Sequence, residues 1–209
     1  MAPRIAVIDY GSGNLRSVEK ALQKTGAEAV RCADAATAEK CEAIVLPGVG
    51  SFGDCARSLE ERGLSDCLRA WLAADRPYLG ICLGYQILFD SSEESPEARG
   101  LGHWPGKVVR FEESPGRKVP HTGWNTLSWG ARDEIFTGVE DGSHVFFVHS
   151  YYPAPSDKSL VTAWCDYGGK FAAAAARGRV HGMQFHPEKS QEIGLHILKN
   201  FVRGVSQNK

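Results

Sequence analysis

Through its first half the chain alternates short, β-branched apolar runs with helical patterns, and this alternation restricts the fold more than any other feature. "RIAVID" reads as a strand. "NLRSVEKALQKTG" reads as an amphipathic helix, with Leu15, Val18 and Leu22 on one face and Gly26 at its end. "EAIVLPG" and "PYLGIC" are further strands, "FGDCARSLEERG" and "LSDCLRAWLAAD" are helical, and "LGYQILFDSS" reads as the helix after the third strand. The βαβα rhythm predicts a parallel sheet with helices on both faces. Beyond Gly100 the text becomes strand-like: "GKVVRF", "SHVFFVHSYY", "LVTAWCDY", "FAAAAA" and "RVHGMQFH", separated by turn residues. Alanine favours helix, but the turn signals around the five-alanine run point to strand. These segments are expected to extend the sheet in antiparallel or mixed fashion, and "SQEIGLHILKNFVRG" closes the chain as a helix capped by Ser190. The fold class expected is α/β: an open, mixed, mostly parallel sheet flanked by helices. With 209 residues and no repeat, linker or low-complexity tract, a single domain spanning 1–209 is expected.

Charge and targeting signals narrow the class. Basic and acidic residues nearly balance, 24 against 25, with no Lys/Arg stripe, which argues against nucleic acid or an anionic membrane as partner. The apolar run before Asp9, "IAVI", is only four residues long, too short for a signal-peptide core, and no run approaches the ~18 of a membrane span. A cytoplasmic protein is expected. Its six cysteines form no CxxC pair and no zinc-type spacing with histidine, so no metal is implied.

"DYGSGNLRS" follows a strand and opens a helix, as a dinucleotide fingerprint does, and Asp34 stands at a suitable distance. Arg16, however, occupies the place of the third glycine, where close helix–strand packing is needed. A tight turn capped by Ser12 or Asn14 is the preferred reading.

"GICLG" sets Cys82 between Gly80 and Gly84, at a strand-to-helix junction. A nucleophile elbow requires small residues two before and two after the nucleophile. The following helix start would favour thiolate, and the Leu83 N–H would face the oxyanion of an attacked carbonyl. A buried strand cysteine beside packing glycines explains the pentapeptide equally well. His186, in "MQFHPEKS", also ends a strand; Pro187 excludes helix there and extends the backbone, so that His186 and Glu188 project together. Nucleophile, histidine and orienting carboxylate make a triad. Pro47-Gly48-Val49-Gly50 offers a loop of exposed amides, with a second oxyanion donor at Val49 or Gly50.

"LPGVGSFG", "GICLGYQ" and "QFHPEKS", in this order, resemble the class I glutamine amidotransferases, and the resemblance covers essentially the whole chain. "VIDYGSGNLRSV", "HTGWN" and the lysine after Glu188 resemble the branch that serves histidine biosynthesis. The resemblance implies that Cys82 attacks the side-chain amide of glutamine, His186 moves the protons and Glu188 orients His186. It implies substrate contacts at Gly48, Gln86, His149, Ser150 and Tyr151, and no cofactor. It further implies a heterodimer in which ammonia passes to a separate (β/α)8-barrel cyclase subunit, for which this chain has no room. It implies activity that is low until the partner and its ligand are bound; the glycine-flanked Val49 peptide, which must rotate before its N–H can point at the oxyanion, is the physical candidate for the switch. Trp124, Asn125 and Lys189 are the expected docking residues, although a tryptophan is more usually core and Lys189 suits a solvated turn. Alternatives at this level are a glutaminase serving anthranilate or aminodeoxychorismate formation, a γ-glutamyl hydrolase or cysteine peptidase, and an inactive binding subunit.

Overall fold

The computed structural model describes residues 2–114, 117–131 and 133–207. Its first half follows the predicted rhythm: β1 (Arg4–Ile8), α1 (Leu15–Lys24), β2 (Glu28–Cys32), α2 (Ala35–Glu39), β3 (Ala43–Gly48), α3 (Phe52–Glu61), α4 (Leu64–Ala73) and β4 (Tyr78–Cys82). Strand alternation explains the layers. Ile5 and Val7 of β1 face the cluster containing Leu15, Val18 and Leu22 of α1, whereas Ala6 and Ile8 face Phe52, Leu59, Leu68 and Trp71 of α3 and α4. β3 and β4 are buried along their whole length, as expected for strands covered on both faces.

Two of the elements, β2 and α2, carried no clear pattern. Asp34 proves to be the N-cap of α2, its carboxylate accepting from the Thr37 amide at 2.8 Å. Arg16 is exposed on α1, so this helix does not make the tight approach a dinucleotide fold needs. Asn14 is the N-cap position of α1 but makes no side-chain cap bond, and the Ser12 hydroxyl donates instead to the Val49 carbonyl at 3.2 Å. The predicted cap is therefore corrected: Ser12 ties the first loop to the loop after β3.

The helix read from "LGYQILFDSS" is a single turn, α5 (Leu83–Gln86), after which the chain enters β5 (Ser91–Ser92) and β6 (Ser95–Arg99). Ile87, Leu88 and Phe89 are buried to satisfy the core rather than a helical stripe. The remaining strands are β7 (Gly106–Arg110), β8 (His121–Thr126), β9 (Ser128–Trp129), β10 (His144–His149), β11 (Tyr151–Pro155), β12 (Val161–Asp166), β13 (Lys170–Arg177) and β14 (Val180–Met183), followed by a 3-10 turn at Pro187–Lys189 and α6 (Gln191–Gln207). The alanine run is strand, inside β13. "SHVFFVHSYY" is two strands, β10 and β11, which break at Ser150 and belong to different sheets.

The main sheet runs β2-β1-β3-β4-β14-β13-β12-β9; the first five strands are parallel and the last three alternate in direction. The expectation that the second half extends this sheet holds for β14, β13, β12 and β9. A separate antiparallel pair (β10-β8) and a four-stranded group (β11-β7-β5-β6) stand apart from it. The carboxyl ends of β3, β4 and β14 lie side by side, with Gly48 opposite Cys82 and Met183 opposite Ile81. An α/β sheet places ligands at such ends.

Close approaches fix this junction. A Cβ on Gly84 would lie 1.8 Å from the Leu46 carbonyl oxygen, and one on Gly80 2.2 Å from that of Gly84. Both obstacles are backbone, which cannot rotate away. Gly84→Ala is therefore expected to cost about 1–3 kcal/mol or more of stability, read as a lowered urea midpoint, whereas Gly204→Ala, with open space at its Cβ position, should not lower it.

Candidate active site

The thiol at the end of β4 sits on strained backbone. Cys82 has φ 54° and ψ −106°, one of three non-glycine residues with positive φ among the described residues. Such a conformation costs on the order of 1–3 kcal/mol and persists only where surrounding packing imposes it. Here Gly80, Gly84 and Leu46 impose it, and the elbow expected from "GICLG" is formed. Because α5 is one turn long, the long helix dipole expected behind the thiol is absent. Among the other five cysteines, burial pushes Cys32, Cys55 and Cys165 up to about 12 and raises Cys41 and Cys67. Thiols so shifted are inert near neutrality.

Cys82 opens onto a cleft of about 290 Å³ that is also lined by Val49, Gly50, Leu83, Gln86, His149, Ser150, Tyr151 and His186. Most of the predicted site residues are therefore gathered in one place. Gly48 lies just beneath, where a Cβ would meet Leu83 Cβ at 2.5 Å. Glu94, Pro120 and Val148 line the cleft as well and carried no recognisable signal in the sequence. A larger cleft of about 400 Å³, lined by Asp133, Arg179, His181 and Arg203 among others, shares no residue with it and holds no thiol.

His186 Nδ1 and Glu188 Oε1 are 2.9 Å apart, with both side chains almost wholly buried. They meet because His186 is extended (φ −101°, ψ 97°) and the chain then turns into the 3-10 segment; the predicted pairing holds, but the turn produces it rather than a continuous strand. Ser190 locks the segment. Its hydroxyl donates to the His186 carbonyl at 2.7 Å and accepts from the Phe146 amide at 3.0 Å, in place of the helix cap expected of it. His186 Nε2 is buried without a hydrogen bond of ordinary length. Burial alone would lower the His186 pKa; the adjacent Cys82 sulfur and the Glu188 carboxylate outweigh it and raise the value to about 10.

The loop after β3 is tied from behind. The Val49 carbonyl accepts from the Tyr10 hydroxyl at 3.3 Å and from Ser12, so the Gly50 N–H, antiparallel to it across the trans peptide, faces away from those hydroxyls. Gly50 has φ 99°, which only glycine adopts readily.

On the opposite wall His149 Nδ1 lies 2.8 Å from the Tyr151 carbonyl and His149 Nε2 lies 3.1 Å from His121 Nδ1. Gln86 Nε2 donates to the Tyr151 carbonyl at 3.0 Å and to Gln184 Oε1 at 3.1 Å, leaving its own oxygen as the atom it can offer a ligand. Gln184, fully buried, in turn donates to Cys82 Sγ at 3.5 Å. Motif and spacing did not single out Gln184. The available signal was a polar residue two positions before His186 in an otherwise apolar strand end.

The residues expected at a docking face are placed as follows. Trp124 is 47% exposed, which excludes a core role, and it packs edge-on against Phe146. Lys189 is exposed, with its ammonium 5.7 Å from the Phe146 ring centre. The Asn125 amide turns inward, donating to the Asp166 carbonyl at 2.9 Å and toward His121 Nε2 at 3.3 Å.

The family described as glutamine amidotransferase class-I matches residues 6–205. The chain belongs to the class I glutamine amidotransferases. It is 50% identical over 203 residues to the imidazole glycerol phosphate synthase subunit HisH of Geobacter sulfurreducens, covering 95% of this chain and 97% of that protein. It is 48% identical over 198 residues to the protein of the same name from Methanothermobacter thermautotrophicus, again covering 95% and 97%. Among solved structures, a crystal structure of a glutamine amidotransferase superposes with TM-score 0.75 at 23% identity, covering 96% and 98% of the two chains. A putative GMP synthase protein from Thermoplasma acidophilum superposes with TM-score 0.70 at 20% identity, covering 99% and 96%. These two share the fold. The amidotransferase has no helix among its described residues long and apolar enough to cross a membrane.

Two expected outcomes follow from the strain and the buried rings. Relieving the positive φ makes Cys82→Gly more stable than Cys82→Ala by about 1 kcal/mol, measured by chemical denaturation. Burial lowers His121 to about 4 and His149 to about 3. The unfolded chain takes up protons at these positions near 6.5 while the folded chain does not, so their contribution is complete above about 6.5 and drains as the pH falls toward 4 and 3. His186 acts in the opposite sense, losing its contribution as pH rises through about 10. Denaturation midpoints between pH 7 and 4.5 should fall more steeply in the wild type than in His149→Gln.

Proposed function

We propose that this amidotransferase is the glutaminase subunit of imidazole glycerol phosphate synthase, acting as one domain over residues 1–209. The observation that carries the reading is the opening of a strained, strand-end Cys82 onto the same cleft as the buried His186–Glu188 pair. Half-identity over nearly full length to imidazole glycerol phosphate synthase subunits supports the choice of synthase.

The Cys82 sulfur adds to the side-chain amide carbon of glutamine, and the carbonyl oxygen takes the negative charge. Amides of the Val49–Gly50 loop and of Leu83 stabilise that oxygen where charge develops. His186 gives its Nε2 proton to the departing nitrogen, ammonia leaves, and a glutamyl thioester remains on Cys82. Water, deprotonated by His186, attacks the thioester; the thiol is restored and glutamate is released. Glu188 holds the ring orientation throughout. Gly48, the Gln86 oxygen and the His149-Ser150-Tyr151 segment hold the amino-acid end of the substrate. No step requires a cofactor.

Ammonia is consumed by a (β/α)8-barrel cyclase subunit docked over the cleft mouth. Among the described residues the exposed large apolar side chains are Val49, Trp124 and Val148. Val49 and Val148 line the cleft itself, and Trp124 lies on β8 paired with Phe146 of β10. An apolar rim around a reactive mouth suits a partner that seals it and receives the product. Lys189 flanks that rim, beside the Phe146 ring.

The test is to assay the chain with a candidate cyclase on two nitrogen sources. Cys82→Ala should reduce glutamine-dependent synthesis by more than about a thousandfold while synthesis from ammonium stays within about twofold. Parallel loss of both would overturn the reading.

A further inference from the structure

We propose that Gln184 is a positioning residue for Cys82, its amide held nitrogen-first toward the thiol by Gln86, which shares the Tyr151 carbonyl with a His121–His149 run of fixed proton order. The proposal deepens the glutaminase reading and rests on it.

The order follows from which atoms can only donate and which can only accept. The Asn125 amide is oriented at both ends: its oxygen accepts from the Thr126 amide at 2.8 Å and its nitrogen donates to the Asp166 carbonyl. Facing His121 Nε2 with that nitrogen, Asn125 makes this ring atom an acceptor. A neutral His121 then carries its hydrogen on Nδ1 and donates to His149 Nε2. His149 in turn carries its hydrogen on Nδ1 and donates to the Tyr151 carbonyl. The other end gives the same answer independently, because a carbonyl oxygen can only accept. Burial keeps both rings neutral at pH 7.

That run ends at the Tyr151 carbonyl, which accepts separately from Gln86. Gln86 Nε2 divides its two hydrogens between the Tyr151 carbonyl and Gln184 Oε1, which compels Gln184 to present its nitrogen, not its oxygen, to the sulfur. A flipped Gln184 would set its N–H hydrogens against those of Gln86 and its oxygen lone pairs against a thiolate at Cys82. An N–H aimed at Sγ favours the anionic, attacking form of the sulfur and fixes the direction in which it points. The rings have little freedom to break the order: His121 is stacked between Phe147, at 4.7 Å, and Tyr167, at 3.9 Å.

Long-range ¹H–¹⁵N correlation on the full chain at pH 7 should find both His121 and His149 protonated at Nδ1; an Nε2–H form of either ring, or a cationic ring, overturns the ordering. Gln184→Met keeps the shape and removes the donor. In the complex with the cyclase it should lower glutamine-dependent kcat by roughly 10–100-fold, with KM within about twofold and ammonium-dependent synthesis unchanged. Unaltered kcat, or a loss confined to KM, overturns the positioning role. Should Gln184→Met not fold, Gln86→Met tests the same link, because it removes the donor that holds the Gln184 oxygen away from the sulfur. Alkylation of Cys82 by iodoacetamide should then slow several-fold. An unchanged alkylation rate overturns the positioning role. The tautomer and alkylation readouts need no glutamine, so they decide the proposal even if the wild-type complex turns none over, the result that would defeat the functional reading instead.

Discussion

The site depends on the close backbone packing that bends the chain at Cys82. Leu46 O occupies the space a side chain would need at position 84, and Gly84 O the space needed at position 80. These contacts join β3, β4 and the single turn of α5, so a local strain of order 1–3 kcal/mol is offset by two fully buried strands. The same packing carries Gly48 and the Val49–Gly50 loop up against Leu83. The thiol and the amides of this loop are thus held relative to each other by backbone, which responds less to substitution than side chains would.

Histidine shows how neighbours decide what burial does. His149 and His186 are both buried, yet their shifts are opposite: downward to about 3 for His149, upward to about 10 for His186. His149 faces a carbonyl and another imidazole, neither of which stabilises positive charge sufficiently to compensate desolvation. His186 faces a carboxylate and a sulfur that can bear negative charge. One fold therefore provides an imidazole able to carry a proton and another kept neutral as scaffolding.

The antiparallel pair β8-β10 serves two surfaces at once. Strand β8 turns His121 and the Asn125 amide inward to the hydrogen-bonded wall while Trp124 faces outward. A strand with that pattern links the exposed apolar rim to the interior wall of the cleft without an intervening loop. Ser190 reaches the same pair from the other side, through the Phe146 amide, and so couples the His186 turn to it.

The chain's own sequence determined the parallel βαβ core, because its apolar runs are long enough to show period, and it determined the elbow, because only glycine fits at 80 and 84. The pairing of His186 with Glu188 was legible from their spacing, although a turn and not a continuous strand brings them together. Tertiary structure decided what local pattern cannot encode. The helix after Cys82 ends after one turn because Ile87 to Phe89 find burial elsewhere, and "SHVFFVHSYY" divides at Ser150 between two sheets. Ser12 holds the Val49 carbonyl instead of capping a helix, and Gln184 meets Cys82 from 102 positions away. Hydrogen bonds across such separations depend on which backbone the sheet order brings alongside, and sheet order is a property of the whole packed chain.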